Sequence, residues 1–211
     1  MPACLPATGS ISMISGRTPR QTALRVLVLV CALLPDIGLT AEPWRLPELL
    51  AALARHGDSR VDYVETRTIA LLKQPLRLEG FVEFRHPAYL AKHVLKPSEE
   101  HYVIDGDNVT VTKPGDPAIT LSLSSHPALE AFTASLRAPL AGDSATLNRY
   151  YQISLGGSRQ HWLLALAPRR SDMAALVRLV KLEGRGDRLE SLSIEEASGD
   201  LSTLRFRHRS P

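Results

Sequence analysis

From Val61 to the end, the chain alternates apolar and polar residues in short runs separated by proline and glycine. A period of two sends successive side chains to opposite faces of a strand. The runs predict strands at 61–72, 76–85, 89–95, 101–105, 109–112, 119–123, 150–155, 162–167, 177–183, 188–196 and 201–207. Between them stand turn signals: His86-Pro87, Lys96-Pro97, Asp105-Gly106, Gly156-Gly157, and glycines at 184, 186 and 199. Proline cannot donate to a ladder, and glycine supplies the left-handed residue of a tight hairpin.

Three segments break this rhythm with a helical period. Leu46, Leu49, Leu50 and Leu53 share one face of a helix that opens on Pro47 and closes at Gly57, with Trp44 anchoring its start. Leu129, Phe132 and Leu136 mark a second helix, capped by Ser125, begun by Pro127 and ended by Pro139 and Gly142. Asp143 or Ser144 then caps a short helix through Leu147, and 171–175 forms one helical turn. The pattern predicts a mainly β (α+β) domain: an unclosed, strongly bent antiparallel sheet of about eleven strands, with helices over its open side or mouth. No repeat, linker or low-complexity tract divides it.

The first 41 residues read differently. Arg17, Arg20 and Arg25 precede the apolar run 26–34, and small or weakly polar residues lead to Ala41. That order is a secretory signal, and the run is too short to span a bilayer. We expect cleavage after Ala41 and a single exported domain at 42–211. Cys4 and Cys31 both leave with the leader. The mature chain then has no thiol and must stand on its core. Val30 before Cys31 is not the small residue that a lipid-attachment site needs. The leader also takes three arginines and Asp36, so the domain is nearly neutral and offers no case for nucleic acid.

Motifs for catalysis are missing. The seven histidines are scattered without metal-ligand spacing, and no Gly-rich phosphate loop or nucleophile elbow occurs. We therefore expect no enzyme, metal or cofactor. The strands instead carry surplus apolar side chains: Leu78, Val82 and Phe84 on one face, Tyr102 with Ile104, and Trp162 with Leu164. A filled barrel and one enclosing a cavity alternate identically, so pattern leaves both open.

The order of these elements resembles the periplasmic outer-membrane lipoprotein carriers, the LolA-like family, as a divergent branch. The resemblance rests on the helix before strand 61–67, the Gly80 strand ending at Pro87, the Pro97 turn and Val103-Ile-Asp-Gly106. It continues through the helical insert at 126–149 and the strand from Trp162 to Pro168. It implies an unclosed β-barrel whose helices form a lid over a hydrophobic cavity. That cavity would take the acyl chains of a lipoprotein or other lipid between the inner and outer membranes. Implied partners are an inner-membrane donor complex and an outer-membrane acceptor protein, with transient membrane contact by a monomer. A sensing module of the same fold and an outer-membrane receptor-type lipoprotein are the alternatives. The cavity residues so implied are Leu78, Val82, Phe84, Tyr102, Ile104, Leu129, Phe132, Leu136, Trp162 and Leu164. An arginine usually precedes the family's first Pro and ties the lid to the barrel. His86 stands there in this chain, with Arg85 one residue earlier on the opposite face.

Overall fold

The structure is a computed structural model that describes residues 44–208. The leader expected at 1–41, its cleavage site and Cys31 lie outside the described residues. Helix α1 (Leu46–Ala54) comes first, then strands β1 (Ser59–Thr68), β2 (Leu76–Arg85), β3 (Tyr89–Lys96), β4 (Glu100–Asp105), β5 (Asn108–Thr112) and β6 (Ile119–Ser122). Helices α2 (Pro127–Ala141) and α3 (Ser144–Tyr150) form the insert. The chain then runs through β7 (Tyr151–Ser158), β8 (His161–Pro168), α4 (Ser171–Ala174), β9 (Val177–Arg185), β10 (Arg188–Glu196) and β11 (Leu201–Arg207).

The eleven strands make one sheet in the order β6-β5-β4-β3-β2-β1-β11-β10-β9-β8-β7. Every neighbouring pair is antiparallel. Two meanders of local hairpins are thus joined in the middle by β1 and β11. The sheet is not closed: β6 and β7 are its edges, and the helical insert is the connection between them.

The helices do not cover the two meanders equally. Leu49, Leu50 and Leu53 of α1 pack with Trp162, Leu164 and Leu166 of β8 and Val180 and Leu182 of β9. Trp44 meets Trp162 edge-on, with ring centroids 6.3 Å apart. Trp162 donates its Nε1–H to Gly186 O at 3.0 Å. A Cβ on Gly184 would stand 2.4 Å from the Trp162 ring, so glycine is what lets the indole lie flat on β9. Tyr151 is fully buried and donates to Ala131 O of α2 at 2.8 Å. The β7–β9 half is therefore filled by side chains of its strands and of α1 and α2.

Several local expectations change. Strand β1 covers Ser59–Thr68 and not 61–72. Leu72 N–H closes a turn on Ile69 O at 2.9 Å, and this turn takes the chain out of the ladder before Pro75. Helix α2 runs through Pro139 to Ala141, because a proline near a helix end sacrifices only one bond. Gly142 stops it, at φ 73°. No side chain caps its start: Ser125 is not the cap, and His126 holds the N-cap position. Its buried face is Ala131, Ala134 and Ala138 with Thr133, Ser135 and Pro139. Leu129, Phe132 and Leu136 are half-buried. Small residues let α2 approach its neighbours closely, and Phe132 packs at the edge of the same core. Phe81 breaks the alternation of β2 because it stacks on His93 of the convex face, centroids 4.4 Å apart, under Arg60.

Candidate functional site

The cavity follows from a local failure of strand pairing. The β10–β11 ladder ends at Ser191–Arg205, although β10 begins at Arg188 and β11 continues to Arg207. A register shift between Leu189 and Ser191 accompanies the separation. At this end of the sheet the two strands part, and a cavity of about 580 Å³ opens. Val61, Val82 and Phe84 form its wall on the β1–β2 side, Leu189 and Phe206 its wall on the β10–β11 side. Leu53 of α1 and Leu140 of α2 close it from the helix layer. Alternation is the reason: Val61 opposes Val82 in the β1–β2 ladder, so their side chains share the concave face.

A polar cluster lies further along the same face. Glu65 is completely buried. Its Oε2 accepts from Lys92 Nζ at 2.5 Å, and its Oε1 accepts from Ser202 Oγ at 2.6 Å and Arg67 Nη2 at 3.0 Å. Burial alone would raise the Glu65 carboxyl. The Lys92 ammonium and its hydrogen bond, the Ser202 hydroxyl and the Arg67 guanidinium outweigh that and hold it below the usual carboxylate range. Tyr102 donates to Glu100 Oε2, and burial together with that bond pushes its phenol up to about 12. Burial also raises the Tyr63 phenol, whose hydroxyl has no hydrogen-bond partner among the described residues. Lys92 Nζ stands 5.4 Å from the Tyr63 ring centroid.

Of the residues assigned to the cavity from sequence, Val82 and Phe84 line it. Leu78 is buried beside Glu65 in the β1–β2 ladder. Tyr102 and Ile104 lie half-buried on β4, and Leu129, Phe132 and Leu136 half-buried on α2. Trp162 and Leu164 are locked in the packed core. His86 packs its ring edge-on against Phe84 at 4.9 Å, and its backbone N–H donates to Asp58 at 2.9 Å. No hydrogen bond joins its imidazole to α2 among the described residues. That link comes from the opposite side: Arg137 of α2 donates from Nη1 to Ala88 O at 3.1 Å and Gly106 O at 3.0 Å. The guanidinium thus sits on the helix and the carbonyls on the β2–β3 and β4–β5 turns.

Sequence reading missed Glu65, Lys92, Arg137 and Leu189. The first two did leave a signal. Lys92 stands between Leu90 and Val94 on an apolar face, and Glu65 follows Tyr63 at the same spacing. A charge at an inward position calls for a partner across the sheet. Arg137 left no such signal, because its partners are backbone atoms.

A sequence model described as "Outer membrane lipoprotein carrier protein LolA-like" matches residues 41–205. The chain belongs to this LolA-like family. Its open sheet with helices on one face is the LolA-like fold in a divergent form. No curated protein matches it by sequence. Among solved structures it is similar to a LolA superfamily protein from Nitrosomonas europaea, at 14% identity over 81% of this chain and 96% of that one, TM-score 0.43. A DUF1329 family protein from Desulfovibrio piger gives 10% identity over 77% and 90%, TM-score 0.44. The MucA/MucB complex of Pseudomonas aeruginosa gives 14% over 76% and 55%, TM-score 0.38. All three likenesses are remote.

Proposed function

We propose that this domain is a periplasmic, non-catalytic carrier that shields the acyl part of a lipoprotein or related lipid between the inner and outer membranes. The observation that carries the reading is the cavity where β10 and β11 part. Its strand walls carry Val61, Val82, Phe84, Leu189 and Phe206, leucines from two helices cover it, and the family is one of lipoprotein carriers. Each buried methylene is worth about 0.8 kcal/mol. A cavity that shields one long chain thus offsets most of what leaving a bilayer costs, and near-balance is what permits both loading and release.

The export signal at 1–41 delivers the domain to the periplasm as a monomer in this reading. A donor complex at the inner membrane and an acceptor at the outer membrane are its partners. Exposed aliphatic side chains at one end of the sheet support transient membrane contact. Leu71 is 94% exposed in the β1–β2 loop, followed by Leu72 and Lys73. Leu76 and Leu201 lie in neighbouring rungs of the ladder. Apolar groups exposed at one end of the sheet are what such a contact would use.

The test is uptake of an environment-sensitive apolar dye by the mature domain, followed by displacement with an acylated lipid. Displaceable binding is expected. A domain that folds but takes up neither dye nor lipid refutes the carrier reading.

A further inference from the structure

We infer that the cavity accepts one acyl-length chain carrying an anionic head group, and not the several chains of a lipoprotein anchor; the inference rests on the carrier reading. Volume decides the chain number. A methylene is close in size to a water molecule, whose share of the liquid is about 30 Å³, so the cavity of about 580 Å³ holds roughly one chain of sixteen to eighteen carbons. Three such chains need about 1,400 Å³ on the same measure.

The neighbouring space cannot supply the difference. Trp162, Leu164, Leu166 and Tyr151 are fully buried on the β7–β8 side. Trp162 is fixed by Trp44, by its bond to Gly186 O and by its contact with Gly184. Tyr151 is fixed by Ala131 O. On the other side, further along β1, the Glu65–Lys92–Arg67 cluster bars an apolar tail, because entry would strip charged groups of their partners. The chain is confined to the stretch bounded by Val61, Val82, Phe84, Leu189 and Phe206.

The charge of the lining residues decides the head. Three arginines stand there against two aspartates. Asp187 faces His56 at 3.5 Å. Arg60 lies over Phe81 and within 3.7 Å of Glu83 on the convex face. Asp62 and Arg207 oppose each other in the β1–β11 ladder, and Arg207 also acts on Glu79. Arg188 enters no ion pair among the described residues. It is exposed at the first position of β10, next to Leu189 of the cavity wall. A guanidinium so placed binds a carboxylate or phosphate with charge-assisted hydrogen bonds.

The experiment measures displacement of a bound apolar dye from the mature domain by four probes. They are palmitate, palmitoyl lysophosphatidylglycerol, hexadecanol and a synthetic tripalmitoylated cysteinyl peptide. Native mass spectrometry gives the stoichiometry. Palmitate and the lysolipid should bind one to one, hexadecanol about tenfold more weakly, and the tripalmitoylated peptide not measurably. The first two probes separate a free carboxylate from a phosphodiester head. Arg188→Glu should weaken palmitate about tenfold and leave hexadecanol unchanged. Leu189→Trp, and Leu140→Trp from the helix side, should both abolish binding while circular dichroism shows a folded domain. Tight binding of the tripalmitoylated peptide would overturn the one-chain inference and leave the carrier reading standing. Equal affinity for palmitate and hexadecanol would overturn the anionic head. Failure of all four probes on folded protein would overturn the carrier reading itself.

Discussion

Glu65 and Lys92 lie 27 residues apart in the chain and meet on the concave face of the sheet, Nζ to Oε2 at 2.5 Å. Removing one partner leaves the other buried and uncompensated. Glu65→Ala should therefore destabilise the domain by about 3–5 kcal/mol, read from urea unfolding. The double variant Glu65→Leu/Lys92→Met should recover a large part of that loss, because it removes the unpaired ion along with the pair. A double variant no more stable than Glu65→Ala would contradict this.

The same carboxylate sets an acid dependence. Its pKa in the folded chain lies below the ordinary 4.5. The stability it contributes is thus complete above 4.5 and is lost as pH falls through the folded value. Unfolding free energy should fall on acidification below pH 4.5, and Glu65→Gln should flatten that part of the profile. An unchanged slope in the variant would assign acid unfolding to other groups.

Arg137 is the side chain that ties α2 to the turns after β2 and β4. Arg137→Ala leaves two carbonyls without their donor, at a cost of about 1–3 kcal/mol. Amide exchange in residues 127–141 should accelerate, and cavity ligands should load faster. His86→Ala should change exchange in α2 less, since the imidazole packs on Phe84. Equal effects of the two substitutions would restore to His86 the role that the family pattern gives that position.

Gly80 stands where β2 and β3 shift register, and a Cβ there would come within 1.8 Å of His93 O. Backbone cannot give way as a side chain tip can. Gly80→Ala should cost more than about 3 kcal/mol or prevent folding. Gly156→Ala, where nothing lies within 4 Å, is the matched control and should be tolerated.

Leu71 projects from the β1–β2 loop, away from the cavity lining. Leu71→Glu should reduce binding to phosphatidylglycerol vesicles in a sedimentation assay. Its effect on folding stability should stay within about 0.5 kcal/mol. Undiminished vesicle binding would place membrane contact elsewhere.

The strands, their order of appearance and the helical insert were legible because alternation and turn residues are local signals. Gly80, Pro87 and Pro97 punctuate the first meander as the pattern requires. On α2, Leu129 and Leu136 are only half-buried, and Phe132 packs at the edge of the core. Helical spacing identifies an apolar stripe but not which stripe packs closest, and here alanines take that place. The cavity was legible only from the β2 side, through Val82 and Phe84. Its other wall, Leu189 and Phe206, depends on where two strands cease to pair, and no residue pattern in β10 or β11 announces that point. The Arg137 tie was hidden for a similar reason. A guanidinium bound to carbonyl oxygens has partners that every residue possesses.

The pairing of β1 with β11 also bears on how the chain reaches its structure. Every other pair in the sheet joins strands adjacent in sequence, so each meander can form hairpin by hairpin with short loops to close. The β1–β11 seam alone joins residues as distant as Glu65 and Ser202, 137 positions apart. Zipping that seam is the slow, high-contact-order step. Until it is complete, the Glu65 carboxylate lacks the Ser202 hydroxyl and the cavity lacks Phe206. A chain cut between α2 and α3 would thus part the β7–β9 strands from α1 and α2, whose side chains complete their core. The binding site would come into being only when the two halves find each other.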